Sequence, residues 1–455
     1  MLMLFAASCA APGSDDAGAA AAESTADGST ATATSSAASS SSEASAGEAS
    51  LTVAETTAGE STAGAFDVSA SDELPAWREG QTPMTWIKVG ASVPLDVDPE
   101  DDPAINPNYP DSAPWRNTSG GGDIFRVWDA WCGAAWDETT GTLRVHGGGH
   151  DDYAGNEVYA QRLFEDAALW ELERPPTGAV GNTGVLNDQQ ETTAVYFDGR
   201  PRSNHSYDNL LSIDGELWLV VVAGPFSSGQ ISALHTFKLV SGDWQTVQTG
   251  LFPTGAMGVG GAGSAVHDTS RGRVYYWPSQ NSEVSYWDIA AGTATTTPLY
   301  TAAGQQSRAI YVAELDLQVI LNGSYAAQFG IYDYDRTLTD APLQPGATGL
   351  APSHEYSAGW WYPNGVWVPG FGGGVGAILC WHGGTGLWAL TPPAAGDPST
   401  SAWSWSRVEA AASNTVDPGE PNNNGVFGRF FYSERLKGVG LSRDADEPTY
   451  FMALE

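Results

Sequence analysis

The part of the chain with the most side chains that could do chemistry is residues 146–157. It reads His-Gly-Gly-Gly-His-Asp-Asp-Tyr-Ala-Gly-Asn-Glu, so glycines that free the backbone stand beside imidazole, carboxylate, phenol and amide groups. We take His150 and Tyr153 as candidate catalytic groups, and Asp152 and Asn156 as candidate ligand-binding groups. The same residues would equally suit a structural turn in which Asp and Asn cap the backbone, and both interpretations stay open.

Further candidates stand where short β-strands are predicted to begin. The catalytic candidates there are His205, Tyr207, Arg308, His354 and Arg429. The ligand-binding candidates beside them are Arg202, Asn204, Tyr356 and Trp360. On one surface, arginine would neutralise a carboxylate, histidine would remove a proton and tyrosine would donate one. β-Elimination of a uronic-acid polymer requires those three roles, although each such residue alone more often has a structural role.

The elements that must position these residues are short strands. The 54 Gly and 27 Pro favour many strands and turns. From residue 83 onward a four-strand unit of roughly 40–50 residues recurs, which is the length of a propeller blade. The predicted strands are 130–137, 142–146, 156–163 and 169–173 in unit one, and 205–213, 216–223, 231–239 and 243–248 in unit two. In unit three they are 263–267, 273–277, 283–289 and 294–298. Unit four has 308–312, 317–322 and 329–334 with a weak fourth, and unit five has 354–362, 366–371, 387–391 and 404–408.

The last unit has only three predicted strands, at 427–433, 438–441 and 449–454. Residues 84–89 supply the fourth, because Trp86 matches Trp170 and Trp244 in the fourth strands of the first two units. Such pairing closes a ring and removes exposed strand edges. We therefore predict an all-β, six-bladed β-propeller, with seven blades as the alternative if 176–204 or 371–403 contains another.

The repeats resemble those of kelch-type and galactose-oxidase-like propellers. Kelch blades carry glycines after the second strand, an aromatic residue in the third and a tryptophan in the fourth. The matching residues are glycines 147–149, Tyr159 and Trp170 in unit one, Gly224, Phe237 and Trp244 in unit two, and glycines 372–374 with Trp388 in unit five. The loop at 147–156 also resembles a GGGH-x-x-Y-x-GN signature of bacterial kelch-like proteins.

The resemblance covers about residues 83–455, within a predicted propeller domain of residues 81–455, at the level of fold and implies no activity. A kelch-type blade has its innermost strand first. The strand starts would therefore lie together at the mouth of a central channel, with His150 and Tyr153 beside His205.

The N-terminal region does not look like part of the fold. Residues 1–9 resemble the end of a truncated bacterial lipoprotein signal, in which Cys9 is the lipidated residue, although Ala6 replaces the usual leucine. Residues 10–80 are rich in Ser, Ala, Thr and Glu and are expected to form a disordered tether. We expect an extracytoplasmic protein, lipid-anchored to a bacterial membrane or cell surface.

The composition and charge of the chain limit which partners it is expected to bind. Nineteen basic against 54 acidic residues give a net charge of −35, which argues against nucleic acid and against charge-driven membrane binding. Residues 96–102 resemble a Ca²⁺ loop only in carboxylate density, so no metal site is predicted, no cofactor is expected, and Ca²⁺ is kept as an alternative. Cys132 and Cys380 could form a disulfide or stay two buried thiols.

These observations favour a monomeric, surface-anchored propeller that recognises a glycan, a carbohydrate polymer, at its central mouth, helped by exposed Trp360, Trp361 and Trp381. The alternative is a polysaccharide lyase that uses the His, Tyr and Arg residues. A glycoside hydrolase using Asp151, Asp152, Glu355 or Asp444, or a protein-interaction scaffold, is less favoured.

Overall fold

A computed structural model gives the structure of the chain. It describes residues 73–116, 123–129, 131–148, 153–181, 195–222, 235–240, 242–249, 263–277, 283–298, 307–321, 329–333, 345–349, 351–352, 364–421 and 424–455. The predicted signal and residues 10–72 of the predicted tether lie outside these ranges. Residues 73–80 pack on the propeller, where the Arg78 guanidinium donates from Nε to the Leu436 carbonyl (2.8 Å).

Six small sheets, mostly antiparallel, form a ring around a central axis, and the prediction of a six-bladed β-propeller is confirmed. The first three blades each have four strands in chain order, close to the predicted positions. Blade one consists of β2 Ala134–Asp137, β3 Thr142–His146, β4 Val158–Arg162 and β5 Trp170–Arg174. Blade two consists of β6 Leu210–Ile213, β7 Glu216–Val222, β8 His235–Val240 and β9 Asp243–Thr249. Blade three consists of β10 Ser264–Asp268, β11 Arg273–Trp277, β12 Glu283–Asp288 and β13 Thr293–Pro298.

Blade four has three strands among its described residues. These are β14 Arg308–Val312, β15 Leu317–Leu321 and β16 Phe329–Asp333. The following strand, β17 Ala347–Gly349, does not join them but pairs in parallel with the outer strand of blade five.

The predicted strand order of blade five is wrong by one strand. Its strands are β18 Val366–Pro369, β19 Gly376–Trp381, β20 Leu387–Thr391 and β21 Trp403–Val408. The innermost strand is thus the one predicted as second, and β19 was missed because its continuous apolar run follows a glycine-rich hairpin. Glycines 372–374 consequently lie between the first two strands, and Gly383 and Gly384 follow the second.

Blade six closes the ring as predicted. Its C-terminal strands β22 Phe430–Ser433, β23 Gly438–Leu441 and β24 Thr449–Ala453 are completed by β1 Trp86–Val89, which pairs antiparallel with β24. The indole Nε1 of Trp86 also donates to the Thr385 carbonyl of blade five (2.8 Å). The two ends of the propeller domain are therefore held together by one sheet.

Large aromatic side chains fill the spaces between blades. Trp128 meets Tyr159 and Trp170 edge-on, with ring centroids 5.4 and 5.8 Å apart. Trp128 belongs to α1 Phe125–Asp129, a five-residue helix. Among the described residues, no helix is long and apolar enough to cross a membrane.

Candidate functional site

A cavity with a volume of about 400 Å³ lies on the propeller axis and is lined by residues from the inner strands of all six blades. The six inner strands run the same way, as the parallel bridge between Asp208 and Ser264 illustrates. We call the end where these strands begin the mouth, and the end where they turn into the second strands the hairpin end. The topology therefore places strand starts that are distant in sequence around one opening.

At the mouth, polar groups of four blades form one network. Asp208, just before β6, pairs with the Arg308 guanidinium at the start of β14 and accepts from the Ser264 hydroxyl at the start of β10. Arg308 also donates from Nε to the Gly365 carbonyl of blade five (3.0 Å). Arg308 lines the cavity, so the predicted candidate does reach the axis, but its charge is compensated by Asp208.

Asp208 is fully buried, and burial raises the pKa of its carboxyl to about 6 although Arg308 opposes that rise. The ion pair therefore forms at neutral pH and weakens when the carboxyl is protonated in mild acid. The mouth carries no uncompensated positive charge from this pair.

An aromatic cluster lies beside the network. Trp131, Tyr207 and Phe427 each stand three residues before the inner strand of their blade, and their side chains pack together. All three have left-handed backbones, with φ of 52°, 44° and 39°. Such a backbone costs a non-glycine residue roughly 1–2 kcal/mol, and strained residues of this kind concentrate at functional sites.

His205 belongs to the same cluster. Its ring lies 4.8 Å from that of Trp131, and its Nδ1 lies 3.5 Å from the Tyr207 hydroxyl. The structure thus brings two predicted catalytic residues together. His205 and Tyr207 are only 3% and 4% exposed, however, so most of their surface is covered by protein.

The described parts of loop 146–157 are buried: His146 faces Trp244 of blade two, whereas Tyr153 packs in a core cluster with Trp115 and Trp128. The His146 Nδ1 lies 2.9 Å from the Glu157 carbonyl, and burial lowers the pKa of this imidazole to about 4. Glu157 accepts from the hydroxyls of Tyr153 (2.7 Å) and Tyr159 (3.1 Å), both on Oε1, while its Oε2 has no partner. Burial raises the pKa of Glu157 to about 7 and that of Tyr153 well above its usual value.

Three other predicted ligand-binding residues of this region are also buried. Asn156 exchanges hydrogen bonds with Thr177 and donates to the Pro201 carbonyl (2.7 Å), so its amide is used within the protein. Arg202 is 4% exposed. Asn204 is 8% exposed and its Oδ1 has no partner.

Arg429 is fully buried, at the junction of blades six and one. Its guanidinium donates to five backbone carbonyls. These belong to Cys132, Ser442, Arg443, Trp128 and Gly425. Its catalytic role stays a prediction, and the complete burial of the guanidinium argues against contact with a ligand.

Cys132 and Cys380 are both buried and are not joined by a disulfide, so the alternative of two buried thiols is confirmed. Cys132 accepts from the Gly148 amide (3.0 Å), and burial raises the pKa of its thiol to about 11. Trp381 is fully buried, and its prediction as an exposed aromatic is wrong. Asp444 is among the described residues, and burial raises the pKa of its carboxyl. The other candidates lie outside the described residues: Cys9, His150, Asp151, Asp152, His354, Glu355, Tyr356, Trp360 and Trp361.

Sequence reasoning missed the residues at the hairpin end. Trp136, His267, Tyr311 and Tyr432 are each the penultimate residue of an inner strand, and all four line the cavity together with Trp367. Aromatic residues recurring at one position of a repeated unit are a signal that an alignment of the six units would have revealed. In the part of the chain that is described, no group of three His, Cys, Asp or Glu residues could hold a metal ion.

No protein-family model matches the chain, and no curated protein matches it. Solved structures that resemble it include an auxiliary nutrient binding protein from Bacteroides ovatus, at 14% identity and a TM-score of 0.41, over 69% of this chain and 66% of that one. A protein of unknown function from Bacteroides thetaiotaomicron has 11% identity and a TM-score of 0.39, over 70% and 68%. The major Malassezia sympodialis allergen Mala s 1 has 12% identity and a TM-score of 0.41, over 70% and 91%. At these scores no functional conclusion follows.

Proposed function

We propose that the propeller binds a carbohydrate in its central cavity. The observation that carries this proposal is the lining, in which Trp136, Tyr311, Trp367 and Tyr432 stand together with Arg308. Small-molecule sites typically measure roughly 300–1,000 Å³ and combine aromatic walls with a few polar groups. Aromatic rings offer a flat apolar face to the C–H groups of a sugar, while phenol and guanidinium groups donate to its hydroxyls.

Electrostatics disfavours a polyanionic ligand. Arg308 is paired with Asp208, and the protein carries a net charge of −35. A uronic-acid polymer would therefore be repelled at long range and would find no uncompensated cation in Arg308. A carbohydrate without negative charge suits this cavity better.

Isothermal titration calorimetry with a panel of oligosaccharides tests the proposal. Trp367→Ala should abolish binding, because it removes an aromatic wall of the cavity. The matched control is Trp388→Ala, which removes an indole from β20 outside the cavity lining. No binding to any carbohydrate, or an equal loss in both variants, would overturn the proposal.

A polysaccharide lyase is the second candidate, favoured by the contact between the Tyr207 hydroxyl and His205 Nδ1. Such a pair could supply the acid and the base of β-elimination. Against it stand the burial of both residues and the compensated charge of Arg308. Ultraviolet absorbance of an unsaturated uronate product, lost in His205→Ala and in Tyr207→Phe, would establish this activity, and no absorbance with any uronate polymer would exclude it.

We also propose that the domain acts as a monomer, without a cofactor, tethered outside the cytoplasm by a lipid on Cys9. The sequence around Cys9 supports this location. Incorporation of a labelled fatty acid that Cys9→Ser abolishes is the expected result. Labelling that persists in Cys9→Ser would contradict lipidation at this residue.

A further inference from the structure

The two ends of the cavity differ in charge. At the mouth, Arg308 and Asp208 compensate each other. At the hairpin end, Trp136 donates from its indole Nε1 to Glu138 (2.7 Å), and Trp367 donates in the same way to Glu314 (2.7 Å). Both carboxylates thus lie directly against aromatic residues that line the cavity.

Both carboxylates are exposed, and neither has an ion-pair partner among the described residues. Neither Glu138 nor Glu314 lies within salt-bridge distance of a described Lys or Arg side chain. By contrast, nearby Asp316 is paired with Arg271 (2.7 Å). The imidazole of His267, which also lines the cavity, adds no positive charge at neutral pH, because burial lowers its pKa. Glu138 also accepts from the Arg435 amide (2.7 Å) and the Ser433 hydroxyl (3.3 Å), but no described cation compensates the charge of either carboxylate at the hairpin end.

An indole whose N–H donates to a carboxylate is richer in electrons than a free indole, and its face attracts a cation more strongly. Cation–π contacts with tryptophan are worth about 0.5–2 kcal/mol, and a nearby carboxylate adds a further attraction. Trp136 and Trp367 bring this combination to the cavity from two different blades.

We infer that the carbohydrate bound in the cavity carries an ammonium group, as an amino sugar does, and that this group lies at the hairpin end between the two indoles. The inference rests on the proposed function and names its ligand class. Hydroxyls of the same sugar would then face Arg308 at the mouth.

Three trisaccharides with one linkage test the inference, because they differ only in the substituent on the second carbon: ammonium, acetamide or hydroxyl. Calorimetry on the full chain should show that the ammonium form binds about tenfold more tightly than the hydroxyl form. Glu314→Gln should weaken the ammonium form about threefold and leave the hydroxyl form unchanged.

Glu171→Gln is the matched control, since it removes the same charge from the outer strand of blade one, where Glu171 pairs with Arg162. An equal effect of both substitutions would reveal a general attraction to a negative protein and would overturn the inference. Equal affinity for all three trisaccharides would overturn it while leaving the proposed function intact. Failure of all three to bind, with no binding of other carbohydrates, would remove the proposed function itself.

Discussion

Arg308 of blade four reaches past blade three to pair with Asp208 of blade two. The two residues are 100 positions apart in sequence, and Ser264 of the intervening blade donates to the same carboxylate. The Ala309 amide in turn donates to the Ser264 hydroxyl (2.7 Å), so the network links three consecutive inner strands. It serves both to hold the ring and to set the charge of the mouth.

Asp208→Asn should raise the free energy of unfolding near pH 8 by about 3 kcal/mol, because burial raises the folded pKa of the Asp208 carboxyl above its unfolded value and its ionisation therefore costs stability. The gain should shrink below about pH 6 and disappear below about pH 4, where the wild-type carboxyl is protonated in both the folded and the unfolded state. Urea unfolding at both pH values measures this. A loss of stability near pH 8, or a difference that does not depend on pH, would contradict the assigned pKa.

Glu157 should make the protein less stable as pH rises. Burial raises its folded pKa from 4.5 to about 7, so the folded state holds the proton more tightly than the unfolded chain. The resulting stabilisation is full below about pH 4.5 and is lost as pH rises through 7. Glu157→Gln keeps the shape and removes the charge, so it should reduce this slope and raise stability near pH 8.

Urea unfolding across that pH range checks the Glu157→Gln prediction, with Glu171→Gln as the exposed control of equal charge change. Asp98 and Asp208 also have raised pKa values and keep part of the slope. An unchanged slope in Glu157→Gln would show that Glu157 does not titrate in this range.

Arg429→Lys should lower the free energy of unfolding by about 3 kcal/mol, because an ammonium group cannot reach the five carbonyls that the guanidinium satisfies. Arg162→Lys, at an exposed pair with Glu171, should cost less than about 1 kcal/mol. Chemical denaturation of both variants makes the comparison. Equal effects would argue that Arg429 has no special part in joining blades six and one.

Gly133→Ala should destabilise the ring by about 2 kcal/mol or more, because a Cβ there would overlap the Tyr207 carbonyl oxygen of the next blade. Gly374→Ala is the control, since its Cβ would meet nothing within 4 Å and its φ is −97°. Thermal unfolding should give a clearly lower melting temperature for Gly133→Ala than for Gly374→Ala. A Gly133→Ala protein as stable as Gly374→Ala would mean that the blades can move apart at this point.

Much of the fold follows from local pattern. Hairpin turns and alternating apolar residues predict the strands of blades one to three, and the tryptophan at residue 86 predicts that the N-terminal strand completes blade six. The strand order of blade five was predicted wrongly because β19 is apolar at every position, so its hydrophobic periodicity could not distinguish it from neighbouring segments.

The sequence by itself determined where most strands lie and that the ring closes, because strand propensity, turns and the two-residue period act over short distances. Only the tertiary structure decided which candidate residues reach the axis. Arg308 and Arg429 both stand near the start of an inner strand, yet one lines the cavity and the other is enclosed by carbonyl groups. Contacts between blades make that difference, and they join residues such as Arg308 and Asp208 that no local pattern connects.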